Sequence, residues 1–236
     1  MNYPGTELEL FAEATNWKRY FASKLRPFVR GRVLDVGCGM GVNANYLVGP
    51  TVSSYTFLEP DLQLLAHVPD HIDASLKKMS EMVHGTLDKL EGRQFDTILY
   101  VDVVEHIEQG PDELDRAYSL LAPGGHLLVL VPAYQFLYSK FDEEVGHVKR
   151  YNKEQMRSEL PRWARPVSLY YLDSMGVLLS LANKFLLHQA RPTRSQIRFW
   201  DRCMIPISRI MDKVLIHKAG RSLIAVVQKP PAAQKL

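Results

Sequence analysis

Short, mainly apolar runs punctuate the first two thirds of this 236-residue chain: Val33 to Val36, Tyr55 to Leu58, Met82 to Leu87, Phe95 to Val103 and Leu127 to Val131. Between them lie stretches such as Glu113 to Leu121, where apolar residues return with helical spacing. Strands that are apolar on both faces and separated by helices predict a parallel sheet covered on either side. The expected class is therefore doubly wound α/β. Leu8, Phe11, Ala12, Thr15, Tyr20, Ala22, Leu25 and Phe28 follow near-helical spacing ahead of the first strand, so residues 1–30 are expected as helices.

The first strand runs directly into Gly37-Cys38-Gly39-Met40-Gly41, with Asp35 two residues before the first glycine. Glycine is required where backbone passes close to a ligand or takes positive φ. A turn of this kind crosses the carboxyl edge of the sheet, and a helix over about Val42 to Leu47 returns from it. A dinucleotide-binding turn would place its third glycine at position 42, where Val42 stands. The Asp35 carboxylate suits a ligand carrying an ammonium group better than it suits a pyrophosphate.

The motif resembles the first motif of the class I S-adenosylmethionine (SAM) dependent methyltransferases. The second strand ends in Glu59, 18 residues after Gly41, where a carboxylate meets ribose hydroxyls in such folds. The segments Phe95 to His106 and Leu120 to Pro132 resemble the family's later motifs, and the likeness extends over roughly residues 5 to 229. It implies a seven-stranded, mostly parallel Rossmann-like sheet. Val167 to Leu172 and Ser222 to Gln228 would be strands six and seven, paired antiparallel at the edge.

It also implies SAM as cofactor, with S-adenosylhomocysteine as product. The cofactor set would be Trp17, Asp35, Gly37, Cys38, Gly39, Gly41, Glu59, Pro60, Thr86, Leu87, Asp102 and Val103. Trp17 and Tyr20 stand near the entrance to the first strand, and two readings apply to them, contact with the methionine part of SAM or ordinary core packing. Cys38 needs no nucleophilic role, since methyl transfer from a sulfonium requires no covalent step.

The implied divisions are N-terminal lid helices over 1–30, a cofactor-binding core over 31–133, an acceptor loop and helix over 134–165, a helical insertion over 174–221 and a flexible tail over 229–236. The acceptor loop carries Gly146-His147-Val148-Lys149-Arg150-Tyr151, similar to a G-H-x-(Arg/Lys)-Arg-Tyr stretch in a bacterial branch of the family. A loop leaving the carboxyl end of a parallel strand sits over the pocket. His147 suits a general base at neutral pH, and Tyr138 and Tyr151 are further catalytic candidates. Alternatively, His147, Arg150 and Tyr151 tie the loop down through Asp142, Glu143 or backbone.

Asp102, Glu105 and His106 with the distant His147 resemble the set by which RNA 3′-end and quinone-pathway O-methyltransferases hold a divalent ion. A Glu-His pair also occurs in metal-free relatives, and no metal is the expectation here. The chain lacks the Asn/Asp-Pro-Pro-(Tyr/Phe) motif of base-amine methyltransferases, which argues against nucleic-acid bases as acceptor and leaves a metal-dependent O-methyltransferase of RNA-end or quinone type as the alternative. A hydroxyl, then an amine, of a small molecule, saccharide or natural product is the expected acceptor. A SAM-binding protein without activity is the contrasting class, and this well-furnished loop argues against it.

Composition adds bounds. With 46% hydrophobic and 23% charged residues, the length suits one sizeable α/β domain. Two cysteines with no paired spacing, and no signal-like N-terminus, point to a reduced, cytoplasmic protein. Charge is segregated: Lys184 to Arg221 holds nine Lys or Arg against two Asp, about +7, leaving about −4 elsewhere. Phe199, Cys203, Ile207, Ile210, Met211, Val214 and Leu215 follow helical spacing there, with Pro206 interrupting. Such a basic cap over 184–221 would meet an anionic or lipid-linked substrate or a membrane surface, or would be core below and solvated charge above. Oligomeric state is not legible.

Overall fold

The computed structural model describes residues 7–187, 189 and 191–232. Two helices, α1 (Glu7–Ala12) and α2 (Thr15–Leu25), precede β1 (Gly31–Val36). The alternation then runs α3 (Ala44–Leu47), β2 (Val52–Glu59), α4 (Leu62–His71), α5 (Ala74–Met79), β3 (Ser80–His84), β4 (Phe95–Val101), α6 (Gly110–Ser119) and β5 (Leu121–Pro132). Helices α7 (Lys140–Val145) and α8 (Lys153–Glu159) lead to β6 (Arg165–Leu172). Helices α9 (Ser174–Ala182), α10 (Arg194–Phe199) and α11 (Ile205–Val214) lead to β7 (Ser222–Gln228).

The seven strands form one sheet in the order β3-β2-β1-β4-β5-β7-β6. β1 to β5 are parallel, while β7 runs antiparallel between β5 and β6. Successive side chains on a strand point to opposite faces, so each strand feeds two cores. Val33, Phe57, Leu99, Leu128 and Val226 face one core with α2, α4 and the segment before β7, whereas Leu34, Leu58, Ile98, Val129 and Ala225 face the other with α6 and α8. The order reverses between β1 and β4, and that is where an open parallel sheet forms its ligand crevice.

Three expectations change. The helix after the glycine turn begins at Ala44 rather than Val42, because residues 38–43 are used in the turn itself. The helix expected across 199–215 is interrupted by a π turn, Trp200–Met204, and restarts with Pro206 in the first turn of α11, where no N–H is needed. The tail is anchored at its start: Lys229 Nζ donates to the carbonyls of Tyr118 and Ser119 at the end of α6 and of Leu121 at the start of β5, and its N–H donates to the Gly125 carbonyl. Residues 1–6 of the expected lid and 233–236 of the expected tail lie outside the described residues.

Candidate active site

The glycine turn after β1, Glu59 at the end of β2 and Asp102 at the end of β4 lie at the switch point, on one edge of the sheet. Gly37, Gly39 and Gly41 all take positive φ, at 62°, 55° and 75°. The turn is held by Gly37 and Cys38 N–H groups donating to the Leu58 carbonyl and by Gly41 N–H donating to Cys38. A side chain at Gly37 would strike Val103, 2.8 Å away, so the glycine lets the β4 loop close on the β1 loop. A side chain at Gly39 would meet only the Leu8 methyl, at 3.6 Å, so open space lies before the turn with α1 above it. That space, walled by bare backbone, fits a cofactor that must approach the main chain closely.

Glu59, buried at the end of β2, accepts the N–H of Gly39 at 2.8 Å and of Asp61 at 3.0 Å, clamping the turn from beneath. Asp35 is buried and accepts the Tyr55 hydroxyl at 2.9 Å; burial pushes its carboxyl up to about 7. Cys38 is also buried, and burial beside Asp35 and Glu59 raises its thiol, keeping it protonated and non-nucleophilic. The Pro60 carbonyl faces His84 Nε2 at 3.1 Å, exposed Thr86 bonds to Asp88, and Leu87 is buried behind them. Asp102, at φ 56°, holds a left-handed conformation at the end of β4; part of its surface is exposed, yet the protein packed around its carboxyl pushes it up, against the opposing charges of His147, Arg221 and Lys18.

The acceptor loop is organised around Asp142. Its wholly buried carboxylate accepts His147 Nδ1 at 2.7 Å, Arg150 Nε and Nη2 at 2.7 and 2.9 Å, and the Ser139 N–H at 2.9 Å. Burial alone would raise this carboxyl, but the bonds from His147 and Arg150 outweigh it and hold it well below the usual range. Helix α7 ends at Gly146 in the left-handed region, Tyr138 donates its hydroxyl to the His147 carbonyl at 2.7 Å, and the Val148 N–H reaches the Glu105 carbonyl.

His147 therefore keeps Nδ1 on Asp142 and turns Nε2 toward Glu105, 3.8 Å away, with the His106 ring stacked edge-on at 4.7 Å. Both Glu105 carboxyl oxygens are buried without a hydrogen-bond partner, and burial, with the nearby Asp102 carboxyl, pushes the group well above the usual carboxylate range. Burial lowers His106 to about 4, so it is neutral, with Nδ1 on the Gly146 carbonyl. Ligand atoms of Glu105, His106 and His147 lie within 4.8 Å of one another, and Asp102 falls outside that group.

The structure does not bring every candidate here. Trp17 packs its ring against Tyr20, Phe21 and Trp200 in the first core, and Tyr20 donates to Asp212, so aromatic packing accounts for both. Tyr151 is fully buried in the second core and donates to Glu159, at 3.1 Å. Its neighbour Arg150 instead points inward to Asp142, because consecutive residues of an extended segment face opposite ways.

A cavity of about 340 Å³ opens beside the loop, in the size range of small-molecule pockets. Phe11, Phe141, Phe199 and Trp200 supply apolar wall, and Arg150 and Arg221 supply charge. Arg221 sits 4.9 Å from the Trp200 ring and makes no side-chain hydrogen bond among the described residues. One Arg150 nitrogen, Nη1, is buried without a partner. Lys18 is the other charge that sequence reading missed: buried between Asp102 and Asp201, with Nζ on the Phe11 carbonyl, it is lowered to about 8 by burial. Nothing local in the sequence marks Lys18 or Arg221, since both gain their surroundings from elements distant in the chain.

A family profile described as Methyltransferase domain matches residues 9–183. The ubiquinone biosynthesis O-methyltransferase of Dinoroseobacter shibae is 34% identical over 106 residues, 43% of this chain. That stretch is 41% of the relative, so the chain spans less than half the length of the curated relatives it matches. Among solved structures, a chain of the complex between the Haloferax volcanii Trm112 methyltransferase activator and a methyltransferase superposes with TM-score 0.67, at 15% identity, covering 97% of this chain and 96% of that one. The N-methyltransferase NodS from Bradyrhizobium japonicum, in complex with S-adenosylhomocysteine, superposes with TM-score 0.58, at 15% identity, covering 92% and 88%.

Proposed function

The chain belongs to the methyltransferase-domain family and uses S-adenosylmethionine, and from that premise we propose that it moves the methyl group to a hydroxyl oxygen of a small molecule, an amine being the next choice. The observation that carries the reading is the pair of Asp142 and His147. A carboxylate on Nδ1 fixes the tautomer, leaves Nε2 as the proton acceptor, and stabilises the imidazolium that forms. A hydroxyl needs such help because it is a poor nucleophile until its proton leaves, whereas an amine arriving neutral needs less. The O-methyltransferase name of the curated relatives supports the same choice.

When bound, SAM supplies an electrophilic methyl on a sulfonium whose departure needs no acid. The glycine turn and Glu59 would hold it, while α1 and the acceptor loop exclude water and fix the line of approach. His147 Nε2 takes the acceptor's proton. The cavity's aromatic walls favour an acceptor with an apolar body over a bare saccharide, and Arg150 and Arg221 favour one that carries negative charge. Within this reading the reaction is cytoplasmic and nucleic acid is not the acceptor.

One observation favours a second reading. The convergence of Glu105, His106 and His147, with both Glu105 oxygens unpartnered, would hold a divalent ion that acidifies the acceptor hydroxyl. The test is a screen of hydroxylated and aminated acceptors with purified protein and SAM, following S-adenosylhomocysteine release and product mass, with and without EDTA. Methylation at oxygen that survives EDTA supports the first reading; methylation only at nitrogen, or none across acceptors that include apolar phenols and carboxylated phenols, overturns it.

A further inference from the structure

Helix α11 is inside out. The side chains it buries are polar as well as apolar: Ser208 and Asp212 are fully buried beside Ile205. Asp212 accepts the Tyr20 hydroxyl at 2.8 Å and the N–H groups of Asp173 and Ser174, and Ser208 donates to Asp173 at 2.7 Å. That network fixes the rotation of the helix and turns its apolar residues outward. Ile210 is 66% exposed and Val214 67%, with Ile207 and Leu215 exposed beside them.

The stripe has a rim of one sign. Arg202, Arg209, Lys213 and Lys218 are exposed, while the single acid between them, Asp212, is buried. At the C-terminal end the chain turns through Ile216 and His217 at φ 50° and 52°, a left-handed conformation that a β-branched residue rarely adopts. The His217 N–H on the Asp212 carbonyl pins this turn, and the strained Ile216 presents its side chain to solvent at 73% exposure. At the other end the stripe begins with exposed Phe199, which also lines the cavity. From Phe199 to Val214 the helical path is about 22 Å.

We propose that this face docks the enzyme onto an anionic lipid surface. Contiguous exposed apolar side chains rimmed by charge mark an interaction site, and a purely basic rim selects an anionic partner. A strip lying in the plane of a bilayer buries its isoleucines and valine among the acyl chains while the lysines and arginines meet phosphate headgroups. None of the described helices is long and apolar enough to cross a membrane, so the contact is peripheral. The segment lies beyond residues 9–183, the stretch matched by the family profile. Phe199 puts the cavity mouth at one end of the docked strip, open to an acceptor held in the lipid.

The test is sedimentation of the intact protein with vesicles of phosphatidylcholine alone and of phosphatidylcholine mixed with phosphatidylglycerol. The protein is expected to pellet with the mixed vesicles and to stay in solution with the neutral ones, with the bound fraction falling as salt is raised. Lys213→Gln with Lys218→Gln should lower the partition roughly 25-fold, each charge contributing about fivefold. Ile210→Ser with Val214→Ser should lower it at least tenfold, and both variants should keep wild-type affinity for S-adenosylhomocysteine. Failure to pellet with the mixed vesicles overturns the proposal, as does binding that the Ile210 and Val214 double variant retains. A concentration-dependent dimer that the same variant dissolves also overturns it, giving the face to a second copy of the chain.

Discussion

Asp142 holds His147 twice, taking its ring Nδ1 through Oδ1 at 2.7 Å and its backbone N–H through the main-chain carbonyl at 2.8 Å. The residue that orients the imidazole thus also closes the turn that carries it. His147→Ala should lower turnover by roughly 10² to 10⁴ while S-adenosylhomocysteine affinity changes less than about twofold, since the ring serves the acceptor and not the cofactor. Calorimetry beside single-turnover rates separates the two. Near wild-type turnover in this variant would reduce His147 to a loop residue. Asp142→Asn should go further and lower stability by about 3 kcal/mol, because Arg150 would remain buried against a neutral amide.

Asp35 gives the unliganded protein a pH dependence of defined sign. Burial lifts its folded pKa to about 7, above the unfolded value of 3.8. Between about pH 4 and 7 the folded chain keeps a proton that the unfolded chain releases, so this residue makes stability fall as pH rises through that window. The full effect is on the order of 4 kcal/mol. Urea unfolding of wild type and Asp35→Asn at pH 4.5 and pH 8, as rough end points of the window, should show the smaller difference in the variant. An equal difference in both would assign the slope to other groups.

What the sequence showed follows the range of each signal. The first strand, the glycine turn and Glu59 are legible because period-two burial, positive φ and strand-to-carboxylate spacing are local properties of a few residues. The Glu59 clamp on Gly39 spans only 20 positions. Trp17 and Tyr151 are ambiguous in the sequence because an aromatic beside a motif has the same local signature whether it faces a ligand or a core. The orientation of α11 was hidden for the same reason. Helical spacing locates an apolar stripe but does not say which way it faces, and here Tyr20, Asp173 and Ser174, distant in sequence, decide that by satisfying Asp212. Likewise Asp201 accepts the Trp17 N–H at 2.8 Å across 184 residues, a helix cap that no local pattern at Thr15 announces.

The cluster of Glu105, His106 and His147 separates the two catalytic readings. With His147 as the base acting alone, EDTA should leave turnover unchanged and added magnesium or manganese should not raise it. Glu105→Gln should then be mild, since burial disfavours a charge on Glu105, its oxygens have no hydrogen bond to lose, and the amide is nearly the same shape. An enzyme that EDTA silences and a divalent ion restores, with Glu105→Gln abolishing the rescue, would establish the ion instead. SAM affinity should survive EDTA in either case.

The cofactor assignment rests on bare backbone at Gly39 and on Glu59 beneath it, and both can be tested against built-in controls. Glu59→Ala should weaken S-adenosylhomocysteine by about 1.5 to 3 kcal/mol, roughly tenfold to a hundredfold, through loss of a charged partner and of the clamp on the turn. Gly39→Ala places a methyl group in the open space before the turn, at φ 55°. Gly92 takes φ 77° with nothing within 4 Å of an added side chain, so Gly92→Ala carries the same backbone strain without the ligand. Each alanine should cost about 1 to 2 kcal/mol of stability, but only the one at position 39 should cost cofactor affinity. Thermal unfolding gives the first quantity and calorimetry the second. Equal affinity in the two variants would mean that the cofactor does not approach the glycine turn, and the assignment of Gly37 to Gly41 would fall with it.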